Sequence, residues 1–174
     1  ELAHNPAGDA APFSSVPIGS VIESAAAVYH NETVTMVFES SPLPDWPHSP
    51  EPRIASAPEI IHGIGNLVQN AVQFSRQCVD IRTRWTDVLV EVVIEDDGPG
   101  FSPLVLERIG EPYMSVRSVV GGELENHMGL GIFIAQTLLS HTGATVDFFN
   151  SGTGATVIIR WDRATLEPDF NPTT

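Results

Sequence analysis

Between Ala57 and Gln77 the chain carries two stripes at helical spacing, and this double pattern limits the fold more than any other feature. Ile60, Ile61, Ile64, Leu67, Val68, Ala71 and Val72 recur at steps of three and four and define a helix face that packs on a core. His62, Asn66, Asn70 and Phe74 recur on the same period as a separate, mostly polar stripe. A helix divided in this way needs an apolar layer on one side and a hydrogen-bonding partner on the other.

The flanking segments supply the layer. Val79 to Trp85 and Val88 to Glu95 read as strands joined at Thr86-Asp87, and Thr145 to Phe149 and Thr156 to Trp161 as a second pair around Ser151 to Ala155. Ile18 to Tyr29 keeps a helical period, Thr33 to Phe38 alternates like a strand, and Ser40 to Pro52, with five prolines, reads as loop. Gly131 to His141 reads as a helix ended by Gly143. Gly98 to Met128 is glycine-rich and weakly periodic, the pattern of a lid. The sum is an α+β fold, a two-layer sandwich with helices on one face of a mixed, mainly antiparallel sheet. Residues 1–16, rich in Ala, Pro, Gly and Ser, read as a linker, 17–162 as the domain and 163–174 as a C-terminal tail.

Composition removes several functions. With 174 residues and 42% hydrophobic content, one packed domain is expected. A net charge of −14 with scattered basic residues argues against nucleic-acid binding, which needs clustered Lys and Arg. The chain has no Lys, which excludes the P-loop lysine and Schiff-base chemistry. The lone Cys78 excludes an intramolecular disulfide and reads as a small buried hydrophobe. No stretch reaches the roughly 18 apolar residues of a membrane span.

Four segments carry chemistry. Asn66 and Asn70 project amides one turn apart, and Mg²⁺, which keeps waters and phosphate oxygens in its octahedron, can take one such amide oxygen from the protein. Asp96, at the end of an apolar strand and before Asp97-Gly98-Pro99-Gly100, can accept a hydrogen bond from an exocyclic adenine amine. A Ca²⁺ loop fails there because oxygen ligands do not recur at alternate positions. Gly129-Leu130-Gly131 before Ile132-Phe133-Ile134-Ala135 would place backbone donors at a helix N-terminus, where anions bind. The dinucleotide fingerprint is not met, since Ile134 stands where its third Gly belongs. Gly152-Thr153-Gly154-Ala155-Thr156 closes the series. Singly, these segments have plain alternatives: solvated amides, a hairpin turn, a helix start, with His62 and His127 as surface or satisfied histidines. In this order they describe a nucleotide pocket.

These residues resemble the catalytic and ATP-binding domain of bacterial sensor histidine kinases, within the superfamily shared with DNA gyrase, Hsp90 and MutL. Asn66 to Ser75 resembles the N box, and Asp96 to Gly100, Met128 to Ala135 and Gly152 to Thr156 resemble the three glycine boxes. His62 to Asn66, Gly110 to Tyr113 and Gly129 to Leu139 are similar to the redox-responsive RegB/PrrB type. The resemblance implies a Bergerat-type sandwich with an ATP lid. It implies that Asn70 binds Mg²⁺, Asp96 the adenine amine, and Gly129, Leu130 and Gly131 the phosphates. It gives Gly98 and Gly100 the turn facing ATP and Thr156 a contact to the base through water, while Phe74, on the amide stripe, is an aromatic suited to cover the base. Gln73 stands where many relatives carry Lys or Arg, and Ser115-Val116-Arg117 leaves Arg117 as the basic lid residue for the γ-phosphate. Asn66 occupies the position of the water-activating Glu of the hydrolytic branch, so the phosphoryl group would be kept for an acceptor. The acceptor implied is a histidine on a dimerisation domain outside this chain, since the H box is absent and His4-Asn5-Pro6 lies in linker-like sequence. A response regulator would follow. The expected setting is the cytoplasmic part of a kinase anchored in a membrane through other segments. The alternative from another class is an anti-sigma-factor-like serine kinase or nucleotide-dependent binding module.

Overall fold

The computed structural model describes residues 14–55, 57–109 and 123–172, with 123–129 as backbone only. In chain order the elements are β1 (Val16–Pro17), α1 (Ile18–Ala27), β2 (Thr35–Pro42), β3 (Arg53–Ile54), α2 (Pro58–Phe74), β4 (Cys78–Trp85), β5 (Leu89–Asp96), α3 (Pro103–Arg108), α4 (Glu123–His141), β6 (Thr145–Ser151), β7 (Gly154–Asp162) and α5 (Arg163–Leu166). Strands β2-β4-β5-β7-β6 form one five-stranded sheet, parallel between β2 and β4 and antiparallel elsewhere, and β1 pairs with β3. Alternation makes the sheet two-faced. Val79, Ile81 and Trp85 of β4 and Val90, Val92 and Ile94 of β5 are buried in one core with Ile60, Ile64, Leu67 and Val68 of α2 and Ile132, Ala135 and Leu139 of α4. Asp80, Arg82 and Arg84 alternate to the other face.

The helices meet without a spacer where side chains are missing. At Gly63 of α2 an added Cβ would lie 2.6 Å from Leu139 Cγ of α4, so the two helices pack closely there. Helix α4 ends in a Schellman arrangement: Gly143 has φ +88°, its N–H donates to Ser140 O, and the Ala144 N–H donates to Leu139 O.

Five expectations are corrected. β2 continues through Ser40, Ser41 and Pro42, each opposite β4, where a loop is expected; on an edge strand the missing Pro42 N–H costs no ladder bond. Helix α4 begins at Glu123, so Gly129-Leu130-Gly131 lies inside it; Glu123, Leu124, Glu125 and Met128 favour helix, and each Gly costs only about 1 kcal/mol against Ala. Helix α3 forms inside the expected lid, with Ser102 Oγ accepting from the Val105 N–H at 3.2 Å. Ile61 is 38% exposed and not part of the core stripe. Both expected ends hold paired residues: Val16 is opposite Ile54, and Arg163 is wholly buried.

Candidate functional site

The site is built around the end of β5. Asp96 points to the helix-covered side and is 8% exposed. Its Oδ1 accepts from the Gly98 N–H at 2.9 Å and from the Ala155 N–H at 3.3 Å, while Oδ2 makes no hydrogen bond among the described residues. Burial pushes the Asp96 carboxyl above its ordinary range, the two backbone donors oppose that shift, and the charge of Asp97 adds to it. Asp97 behaves in the opposite sense. Burial raises it, but the backbone N–H groups of Gln77, Arg76 and Cys78 outweigh burial and hold its carboxyl below the usual value. Asp97 thereby fastens the end of β5 to the segment that follows α2, through bonds of 2.7 Å from Arg76 and 3.0 Å from Gln77.

Glycines let three segments close on Asp96. A Cβ at Gly98 would collide with the Phe74 carbonyl oxygen at the end of α2, and a Cβ at Gly154 with the Asp96 carbonyl oxygen. Gly100 has φ +84°, and a Cβ there would sit 2.7 Å from Asn150 Oδ1. The polar stripe of α2 thus ends on the glycine turn, and the turn rests on the β6–β7 hairpin.

The placement of each expected residue follows from this frame. Asn70 and Phe74 are half-buried on α2 and lead to Gly98. Asn66 donates through Nδ2 to the His62 carbonyl at 3.0 Å, which leaves its Oδ1 as an acceptor. Gly131 lies on α4 with nothing within 4 Å of an added Cβ. Among the described residues no neighbour explains this glycine by packing. The N–H groups of Gly129 and Gly131 run along the helix ladder, because α4 starts at Glu123, and not at an open N-terminus as expected. Arg117 lies outside the described residues.

Thr156 requires a correction. It pairs with Glu95 and with Phe149, so its side chain shares their face of the sheet and points away from Asp96. Its Oγ1 is buried there without a hydrogen-bond partner among the described residues. The group that meets Asp96 is the N–H of Ala155. Asn150, which the sequence reading passed over, donates from Nδ2 to the Phe101 carbonyl at 2.9 Å and accepts on Oδ1 from the Phe101 N–H at 2.7 Å. Its signal in the sequence is faint: one amide at a strand end before a turn.

Among the described residues no group of three or more His, Cys, Asp or Glu is arranged to hold a metal ion. A cation at this site would take most of its oxygens from a phosphate-bearing ligand. A second concavity, of about 700 Å³, lies at the opposite end of the sheet, lined in part by Asp45, Trp46, His48, Asp87, Glu167 and Phe170. None of the four motif segments reaches it.

Residues 55–165 match the family described as histidine kinase-, DNA gyrase B-, and HSP90-like ATPase. The chain belongs to this family. The sensor histidine kinase RegB of Cereibacter sphaeroides is 37% identical over 139 residues, which are 78% of this chain and 30% of RegB. The histidine protein kinase DivJ of Caulobacter vibrioides is 34% identical over 97 residues, 55% of this chain and 16% of DivJ. The chain therefore spans about a third or less of the curated relatives it matches. In fold it is similar to the nucleotide-free catalytic domain of histidine kinase ThkA (TM-score 0.64, 18% identity, 87% of this chain and 95% of that one). It is also similar to the mycobacterial sensor histidine kinase MprB (TM-score 0.60, 20% identity, 85% and 95%). No helix among the described residues is long and apolar enough to cross a membrane.

Proposed function

We propose that the chain is the ATP-binding catalytic domain of a two-component sensor histidine kinase, which transfers the γ-phosphoryl of ATP to a histidine on a dimerisation domain outside this chain. The observation that carries this reading is the convergence on Asp96. The end of α2, the Asp96–Gly100 turn and the Gly152–Ala155 hairpin touch at glycine positions that admit no side chain. A buried carboxylate there keeps one oxygen unoccupied.

In this reading Asp96 Oδ2 accepts from the adenine amine, Phe74 covers the base, and Gly98 and Gly100 form the turn beside it. The phosphates lie along α4 at Gly129, Leu130 and Gly131, where the absent side chain of Gly131 leaves the backbone open. Asn70 supplies an amide oxygen to Mg²⁺, with Asn66 one turn away. Bound Mg²⁺ would offset the charge of neighbouring phosphate oxygens. Asn66 cannot take a proton from water near neutral pH, so the chain holds the phosphoryl group for an acceptor. Arg117 stabilises the charge that develops on it. The partners are the dimerisation domain of the same kinase and, downstream, a response regulator; any membrane anchor lies in other segments, with this domain in the cytoplasm.

The test combines calorimetry with γ-labelled ATP. Mg²⁺-dependent ATP binding should be lost in Asn70→Ala. The chain alone should neither label itself nor hydrolyse ATP quickly, and it should label one histidine of a dimerisation-helix fragment from its own full-length protein. Arg117→Ala should slow that transfer by about tenfold or more while changing affinity by less than about threefold. Fast hydrolysis by the chain alone, or label on Ser or Thr, overturns the reading.

A further inference from the structure

We infer that Asn150 is a positioning residue for the nucleotide site: its side-chain amide fixes the far end of the Asp96–Phe101 turn to the same hairpin whose Ala155 N–H fixes the near end. This inference rests on the nucleotide reading above. The turn has two anchors. At its start Asp96 Oδ1 gathers the Gly98 and Ala155 N–H groups. At its end Phe101 is tied through both backbone groups to Asn150, at 2.7 and 2.9 Å. Asn150 and Ala155 are directly opposite each other in the β6–β7 pairing, so both anchors act from one cross-strand pair.

The chemistry selects asparagine. A side-chain amide carries a donor and an acceptor side by side, so it can satisfy the N–H and C=O of a single residue as a neighbouring strand would. A carboxylate would set an oxygen against the Phe101 carbonyl, and an aliphatic side chain would leave both groups unpaired. The approach is close enough that Gly100 must lack a side chain, since a Cβ would meet Asn150 Oδ1 at 2.7 Å. Phe101 is held through its side chain as well: the residue is 4% exposed and its ring meets Phe148 edge-on, with centroids 5.9 Å apart at 77°. Between the anchors only Asp97, Gly98, Pro99 and Gly100 remain, and these carry the backbone proposed to face the nucleotide. Asn150 therefore sets where that backbone stands relative to the Asp96 carboxylate.

The test uses Asn150→Ala and Asn150→Ser in the whole chain, with ATP and ADP affinities measured by calorimetry well below the melting midpoint and hydrogen exchange read at the Phe101 amide. Asn150→Ala is expected to speed exchange at Phe101 and to weaken ATP and ADP together by about tenfold, leaving their ratio unchanged, because the turn lies on the base side and not at the γ-phosphate. Asn150→Ser, which keeps one polar partner, should show a smaller loss of the same kind and serves if the alanine variant does not fold. Faster exchange in a variant whose ATP and ADP affinities stay within about twofold of the unaltered chain would make Asn150 a purely structural residue and overturn the inference. Absence of nucleotide binding by the unaltered chain would instead remove the reading on which it rests.

Discussion

Asp96 is stabilised by the backbone around it and still destabilised by its own charge. Its folded pKa lies above the ordinary 3.8, so the folded state holds the proton more readily than the unfolded chain does. The stability this contributes is complete below pH 3.8 and is lost as pH rises through the raised value, and the ionised form opposes folding near neutrality. Asp96→Asn keeps an oxygen for the Gly98 and Ala155 N–H groups while removing the charge. The variant should melt above the unaltered chain at neutral pH, and the gap should close as pH falls towards 3.8. Its ATP affinity should drop by about tenfold to a hundredfold, with less discrimination against GTP, because a charge-assisted acceptor is lost. Thermal melts across pH and calorimetry with both nucleotides check this; equal ATP affinity in the two proteins would remove Asp96 from the base site. The buried acid was legible in the sequence because it ends an apolar strand before glycines. The neighbouring hairpin was misjudged by one residue: Thr156 is the polar side chain, but pleating turns it to the other face and leaves the Ala155 backbone beside Asp96.

Helix α2 shows how far periodicity carries at the level of elements. Its stripe gave the helix, the buried face and the amide face, because one turn of sequence is enough to record them. It could not give the approach of α4, which depends on Gly63 facing Leu139. Two glycines two positions apart therefore have opposite expectations. At Gly63 a Cβ falls 2.6 Å from Leu139 Cγ, a side chain with no exposure, so Gly63→Ala should destabilise by about 1–2 kcal/mol despite its better helix propensity. At Gly65 a Cβ meets Tyr29 at 3.4 Å, an ordinary contact, and Gly65→Ala should be neutral or stabilising by up to about 1 kcal/mol. Urea unfolding of both variants decides; equal shifts would mean that the α2–α4 contact is looser than described. The last three residues of β2 are hidden for a related reason. Ser40, Ser41 and Pro42 have no strand pattern of their own and are extended by pairing with Thr83, Arg84 and Trp85, far along the chain.

Across the whole molecule, the end of the sheet opposite Asp96 is held by a buried cation. Arg163 has no exposed surface, donates to Thr86 O at 2.8 Å, Pro50 O at 2.6 Å and Ser49 Oγ at 3.0 Å, and lies 3.6 Å under the Phe170 ring. Burial lowers its pKa and Glu167, 3.4 Å away, opposes that shift. Nothing in the sequence after Trp161 announces this, because the strand alternation ends there and a buried arginine leaves no period. Arg163→Met should cost about 3 kcal/mol, since it strands buried carbonyls and removes the charge beside Glu167, and Arg163→Lys should not restore the loss, because a point charge cannot reach the same acceptors. Nucleotide affinity should stay unchanged in both. Melting curves and calorimetry separate the effects; a loss of ATP binding without a loss of stability would contradict the separation of the two ends.

Arg53 joins this end to the start of the domain. Its backbone N–H donates to Glu167 at 2.9 Å and its guanidinium to the Ser15 carbonyl at 2.7 Å, so the segments at Ser15 and Glu167 meet at one corner. That corner is separated from Asp96 by the length of β5, roughly 23 Å at the rise of an extended strand. This corner and the proposed nucleotide site therefore stand at opposite ends of one stiff strand. A rotation of about 20° about this corner would sweep the proposed nucleotide site through about 8 Å with every hydrogen bond around Asp96 intact.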